Sequence, residues 1–135
     1  MTSNRRKFLQ NAGLFTFGLG AIPLDPAIAK AAKRSVAPSD KIRVGLIGAR
    51  NMGFYDLTNA IRQPEAECVA LCDIDDRVLA EKKKAVLEYQ ETVPTTYKDF
   101  RKFLEHPDLD AVIIGTPDHW HCLPFVAAFE AGKDV

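Results

Sequence analysis

"VGLIGARNMG", Val44 to Gly53, decides how this chain is read. An apolar run enters Gly48, and past Gly53 the residues Phe54, Leu57 and Ile61 repeat at helical spacing. Ile42 to Ile47 is the kind of short, mostly apolar stretch that forms a buried parallel strand. A tight turn therefore joins a strand to a helix, and the amides at the helix start offer an anion site. One residue is out of pattern, because Arg50 stands where a phosphate-binding turn usually has its middle glycine.

Spacing turns this weak signal into a stronger one. Cys68-Val69-Ala70-Leu71-Cys72 reads as a second strand and ends on Asp73, twenty residues after Gly53. At that distance a dinucleotide-binding unit places the carboxylate that accepts hydrogen bonds from the adenosine ribose. The alternation continues with a helix expected over Asp76 to Gln90, with Val78, Leu79, Val86 and Tyr89 inward and Asp75 and Asp76 facing its N-terminal dipole. Phe100, Phe103 and Leu104 mark a shorter helix that Pro107 closes, and Ala111 to Ile114 is a further buried strand. Phe125, Val126 and Phe129 mark a last helix, for which Gly132 is placed as the C-terminal cap. The fold class is α/β, a Rossmann-like doubly wound parallel sheet with ligands at the carboxyl ends of its strands.

Composition narrows the partners. Eighteen Lys and Arg balance eighteen Asp and Glu, with 47% apolar residues, so the chain reads as an ordinary globule without the basic stripe of a nucleic-acid binder. Lys82-Lys83-Lys84 is a solvated helix face. Cys68 and Cys72 lie four apart in a strand, about 13 Å, beyond disulfide reach, and the three cysteines read as small buried residues. No metal spacing is present, since His119 and His121, two apart on a helix, face different ways.

The front of the chain reads as an address. Arg5-Arg6-Lys7-Phe8-Leu9 precedes a glycine-rich apolar stretch from Ala12 to Leu24, and Ala27-Ile28-Ala29 supplies small residues for cleavage. The cluster resembles a twin-arginine export signal, with Gln10 where Lys is frequent; the plainer alternative is a disordered basic tail. The expected organisation is signal and cleavage region 1–32, linker 33–40 and dinucleotide-binding domain 41–135, with a periplasmic or otherwise exported destination. Export by that route implies that the cofactor is loaded before the folded protein leaves the cytoplasm.

Three stretches, "IRVGLIGARNMG", "ALCDID" and "DAVIIGTPDHWHCLPFVAAFEAGKDV", resemble the N-terminal half-domain of the Gfo/Idh/MocA oxidoreductases over Lys41 to the end of the sequence. The Thr-Pro-Asp-His-Trp-His element is the most distinctive part. On that alignment a basic residue at Arg50 is common and the real departure is Asn51, the non-glycine type that best tolerates positive φ. The resemblance implies a cofactor-binding turn of Gly48, Ala49, Arg50, Asn51, Met52 and Gly53 in which the backbone of Ala49 to Met52 holds a pyrophosphate, and that Asp73 holds the adenosine ribose. It implies NAD as cofactor, with NADP left open by the nearby Arg77. Thr116, Pro117, Asp118 and His121 match the stretch that lines the dinucleotide near the nicotinamide. Asp118 reads equally as a helix N-cap, His121 as a histidine satisfied at a helix start, and Trp120 as either a platform beside the nicotinamide or an interface residue.

The family chemistry is hydride transfer between a sugar or cyclitol carbon and nicotinamide, assisted by a lysine from a Glu-Lys-Pro motif. That motif is expected just after the strand that starts at Lys133, and the sequence stops at Val135. No catalytic residue is assigned within the chain, and the sheet is expected to be incomplete, without the C-terminal α/β substrate domain. Oligomerisation is expected of full-length relatives. Two alternatives stand beside the oxidoreductase: an NAD-dependent glycosidase of the same fold, against which Asp118-His119 argues mildly, and a non-catalytic binding or scaffold module.

Overall fold

The structure, a computed structural model, describes residues 37–135; the expected export signal and the first half of the linker lie outside the described residues. Four strands, β1 (Ile42–Ile47), β2 (Ala66–Cys72), β3 (Thr95–Tyr97) and β4 (Ala111–Ile114), form one sheet in the order β3-β2-β1-β4. Every pairing is parallel. Four helices alternate with them: α1 (Asn51–Ile61), α2 (Asp76–Val86), α3 (Phe100–Leu104) and α4 (Cys122–Glu130). The chain steps outward from β1 to β3 and then crosses back to the other side of β1. The crevice between β1 and β4 is thus a topological switch point.

Both faces of the sheet are covered, as expected. Leu46, Leu57, Ile61, Leu71, Val78, Leu79 and Val86 pack under α1 and α2, while Ile47, Cys72, Phe103, Leu104, Leu109, Val112 and Ala128 pack under α3 and α4. Gly45 makes room on the second face: a Cβ there falls 2.4 Å from the ring of Phe103. Phe103 is fully buried and meets Tyr97 edge-on at 6.0 Å.

One irregularity is invisible in the sequence. Val44 pairs with Cys68 but Gly45 pairs with Ala70, so Val69 is an extra residue in β2. The bulge turns Cys68 toward the α1 and α2 side, where Leu71 also lies, while Cys72 faces α3 and α4. Gln90 repairs the ladder there: its Oε1 accepts the Cys68 amide at 2.7 Å and its Nε2 donates to the Cys68 carbonyl at 2.8 Å. α2 ends at Val86, four residues short of the expected end, as the Leu87, Glu88 and Tyr89 amides tighten onto carbonyls three residues back, and Tyr89 is left half-exposed beneath the Arg62 guanidinium.

The chain leaves α4 through a Schellman motif. Gly132 has φ 70°, its amide donates to Phe129, and the Lys133 amide donates to Ala128. Asp134 then lies parallel to β4, accepting from Val112 at 2.8 Å and donating to Asp110 at 3.1 Å. α4 rests on the sheet through Pro124 and Ala128, whereas the residues that marked it in the sequence point outward: Phe125 and Val126 are half-exposed and Phe129 is 73% exposed. Among the described residues no helix is long and apolar enough to cross a membrane.

Burial pushes the thiols of Cys68 and Cys72 up to about 12, and Cys122 is exposed. Because the thiolate is the reacting form, the folded chain should titrate one thiol with a disulfide reagent at pH 8 and three in denaturant. Rapid reaction of a second thiol under native conditions would show that β2 opens.

Candidate functional site

The turn after β1 is built on close backbone approach. Gly48 takes φ 84°, and a Cβ on it falls 2.7 Å from the backbone of Gly115 and Thr116. A Cβ on Gly53 falls 2.4 Å from the Gly48 carbonyl oxygen, and one on Gly115 falls 2.4 Å from the Gly53 Cα. Gly48, Gly53 and Gly115 therefore form a stack that brings the start of α1 against the end of β4. Asn51 takes φ 38°, the one non-glycine residue at positive φ among the described residues, and so does what glycine does in the usual pattern.

Asp73 ties this turn to β2. It is 9% exposed; its Oδ2 accepts the Ala49 amide at 2.9 Å and its Oδ1 accepts the Asp75 amide at 3.0 Å. The Ala49 amide is thus committed to Asp73 and is not available to a phosphate, unlike the arrangement expected from the sequence. The anion-facing group shifts to the start of α1, which no side chain caps. The first-turn amides there have no intrahelical acceptor, and Arg50, Asn51 and Met52 line the adjoining crevice.

That crevice has a volume of about 840 Å³ and lies at the carboxyl ends of β1, β2 and β4. Gly48, Arg50, Asn51, Met52, Asp73, Thr116 and Pro117 of the predicted set line it together. The Thr116 hydroxyl is buried and lacks a hydrogen-bond partner, a condition native proteins rarely tolerate without a ligand or water to relieve it. Asp118 and His121 do not join them. They line a separate groove beside β4 with Val112, Cys122 and Phe125. The cause is a 3-10 turn over Asp118–Trp120, which points His119 and Trp120 into the crevice and swings Asp118 and His121 away. His121 Nε2 lies 2.5 Å from the Thr116 carbonyl, so this histidine braces its own loop. Asp118 caps no helix with its side chain.

The sequence reading missed Gly115, Ile74 and the segment Lys98 to Arg101, all of which line the crevice. Gly115 had a visible signal, a glycine directly after the β4 run, but its meaning depends on β4 lying beside β1. The rim cations are paired. Arg50 Nη2 lies 2.6 Å from Asp75 Oδ2, Lys98 lies 2.8 Å from Asp76, and Arg101 lies 3.4 Å from Asp99. The Arg77 amide, helped by the Arg77 and Arg50 side chains, holds the Asp75 carboxyl below its usual range.

A profile described as "Oxidoreductase family, NAD-binding Rossmann fold", GFO_IDH_MocA, matches residues 42–135. The chain belongs to this family. Its Gfo/Idh/MocA fold is shared with scyllo-inositol dehydrogenase from Lactobacillus casei, solved with bound NAD(H) and scyllo-inositol: TM-score 0.61, 28% identity, covering 69% of this chain and 26% of that one. Myo-inositol dehydrogenase from the same organism, in complex with NAD(H) and myo-inositol, gives TM-score 0.60 and 25% identity over 69% of this chain and 26% of its own. Curated relatives include a "Glycosyl hydrolase family 109 protein" of Shewanella pealeana, 32% identical over 98% of this chain and 32% of that protein, and one of Shewanella baltica strain OS155, 30% identical over 96% and 32%. This Gfo/Idh/MocA chain thus spans about a third of the length of the curated relatives it matches.

Proposed function

We propose that residues 41–135 form the NAD-binding module of an exported enzyme that moves a hydride between a sugar or cyclitol carbon and nicotinamide. The observation that carries the reading is the buried Asp73 carboxylate, bonded to the Ala49 amide inside the glycine turn and lining the crevice at the switch point. The free amides at the start of α1 hold the pyrophosphate there, Asp73 the adenosine ribose, and the unpartnered Thr116 hydroxyl a polar group of the same ligand. Trp120 and His119 flank the end of the crevice nearer β4. When bound, NAD supplies the hydride acceptor. Lys98, the lysine that lines the crevice, is paired with Asp76 at the β3 side, with β2 and β1 between it and β4. The role of moving the substrate proton is therefore assigned to the part of full-length relatives outside this chain. The Arg5-Arg6-Lys7-Phe8-Leu9 cluster supports export, with the cofactor loaded first.

A second reading, an NAD-dependent glycosidase, is favoured by the names of the curated relatives at 28–32% identity, against the mild argument from Asp118-His119. Both chemistries use the same crevice. They separate by product: one yields a ketone with net reduction of NAD, the other a cleaved glycosidic bond with NAD regenerated. Calorimetric titration of the chain tests what they share. NAD should bind saturably and at least about tenfold more tightly than NADP. No saturable binding of either would leave a scaffold module.

A further inference from the structure

Asp75 pairs closely with one guanidinium, that of Arg50, and only loosely with a second, that of Arg77, whose side chain is 93% exposed. Its Oδ2 accepts from Arg50 Nη2 at 2.6 Å, and its Oδ1 accepts the Arg77 amide at 2.9 Å and meets Arg77 Nε at 3.5 Å. Its own amide donates to Asp73 Oδ1, so both arginines are gathered one hydrogen bond from the carboxylate assigned to the ribose. Guanidinium groups match phosphate geometry well, and Arg50 both lines the crevice and is 61% exposed at its side chain. Asp73 repels a phosphate, but its oxygens accept the Ala49 and Asp75 amides and pair with neither arginine.

Resting on the dinucleotide reading of the crevice, we propose that Asp75 is the residue that sets the choice of an unphosphorylated adenosine ribose. By occupying Arg50, with Arg77 loosely beside it, Asp75 withholds guanidinium charge from a 2′-phosphate next to Asp73. Selectivity here comes from sequestering attraction as well as from repulsion.

The test is Asp75→Asn, which removes the charge while keeping a good helix N-cap for α2. The probes are 5′-AMP and adenosine 2′,5′-bisphosphate, with NAD and NADP alongside, titrated calorimetrically at low salt into the full chain. The bisphosphate should bind about tenfold more tightly to Asp75→Asn than to the parent, the scale of one charge-assisted contact, with 5′-AMP changed by less than about threefold. Asp75→Glu should keep the parental ratio. The gain should vanish in Asp75→Asn/Arg50→Ala/Arg77→Ala. An unchanged ratio in Asp75→Asn, or a gain that survives loss of both arginines, overturns the inference while leaving NAD binding intact. A parent chain that binds neither NAD nor 5′-AMP overturns the dinucleotide reading itself.

Discussion

Gly53→Ala is expected to destabilise the domain by about 2–3 kcal/mol and to abolish measurable NAD binding. Two effects oppose each other at this helical position. Alanine is the better helix former by about 1 kcal/mol. Against that, its Cβ lands 2.4 Å from the Gly48 carbonyl oxygen and 2.9 Å from the Gly115 Cα, and both are main-chain atoms that cannot rotate away. Relief requires α1 to withdraw from β1 and β4, which also pulls its uncapped amides out of the crevice. Denaturant unfolding of parent and variant measures the loss. Gly132→Ala is the control, because a Cβ there meets nothing within 4 Å and the cost is confined to the backbone at φ 70°, about 1–2 kcal/mol. If Gly53→Ala unfolds at the parental midpoint and binds NAD normally, the glycine stack does not shape the site.

Asp73→Ala should cost about 1–3 kcal/mol in stability and weaken NAD binding by at least about tenfold. The larger part of the stability loss falls on the Ala49 amide, which sits on a residue with no exposed surface and finds no water when its acceptor is removed. The Asp75 amide is less affected, as its residue is only half-buried. Asp73→Asn keeps one oxygen for one of the two amides and turns an NH2 group toward the other. It should retain part of the stability yet still lose affinity, separating the turn-holding role from the proposed contact with the ribose. Equal NAD affinity in parent and Asp73→Asn, measured calorimetrically, would remove Asp73 from the ribose site.

The pattern of strands and helices was legible because each is announced locally: apolar runs for β1, β2 and β4, helical repeats after Gly53 and Asp75, and a glycine after α4. Asn51 at positive φ was legible for the same reason, since its tolerance is a property of the residue type. Tyr89 and Phe129 show where local reading ends. Both sit at helical spacing, but α2 tightens into i→i−3 bonds past Val86, and α4 reaches the sheet through Pro124 and Ala128. The site divides in the same way. Gly48, Asp73 and Thr116 were placed by motif, whereas the 3-10 turn that exchanges His119 and Trp120 for Asp118 and His121 depends on how Thr116 and His121 meet.

By itself the sequence determined an α/β unit with a glycine turn, a following helix and an acid twenty residues on, because backbone permissiveness and hydrophobic period act over a few neighbouring residues. Only the tertiary structure decided that Gly115 completes the turn, that the Ala49 amide belongs to Asp73, and that Arg50 is held by Asp75 at the rim. Those contacts join residues 24 to 67 positions apart, and they exist only once parallel strands bring the ends of β1, β2 and β4 side by side.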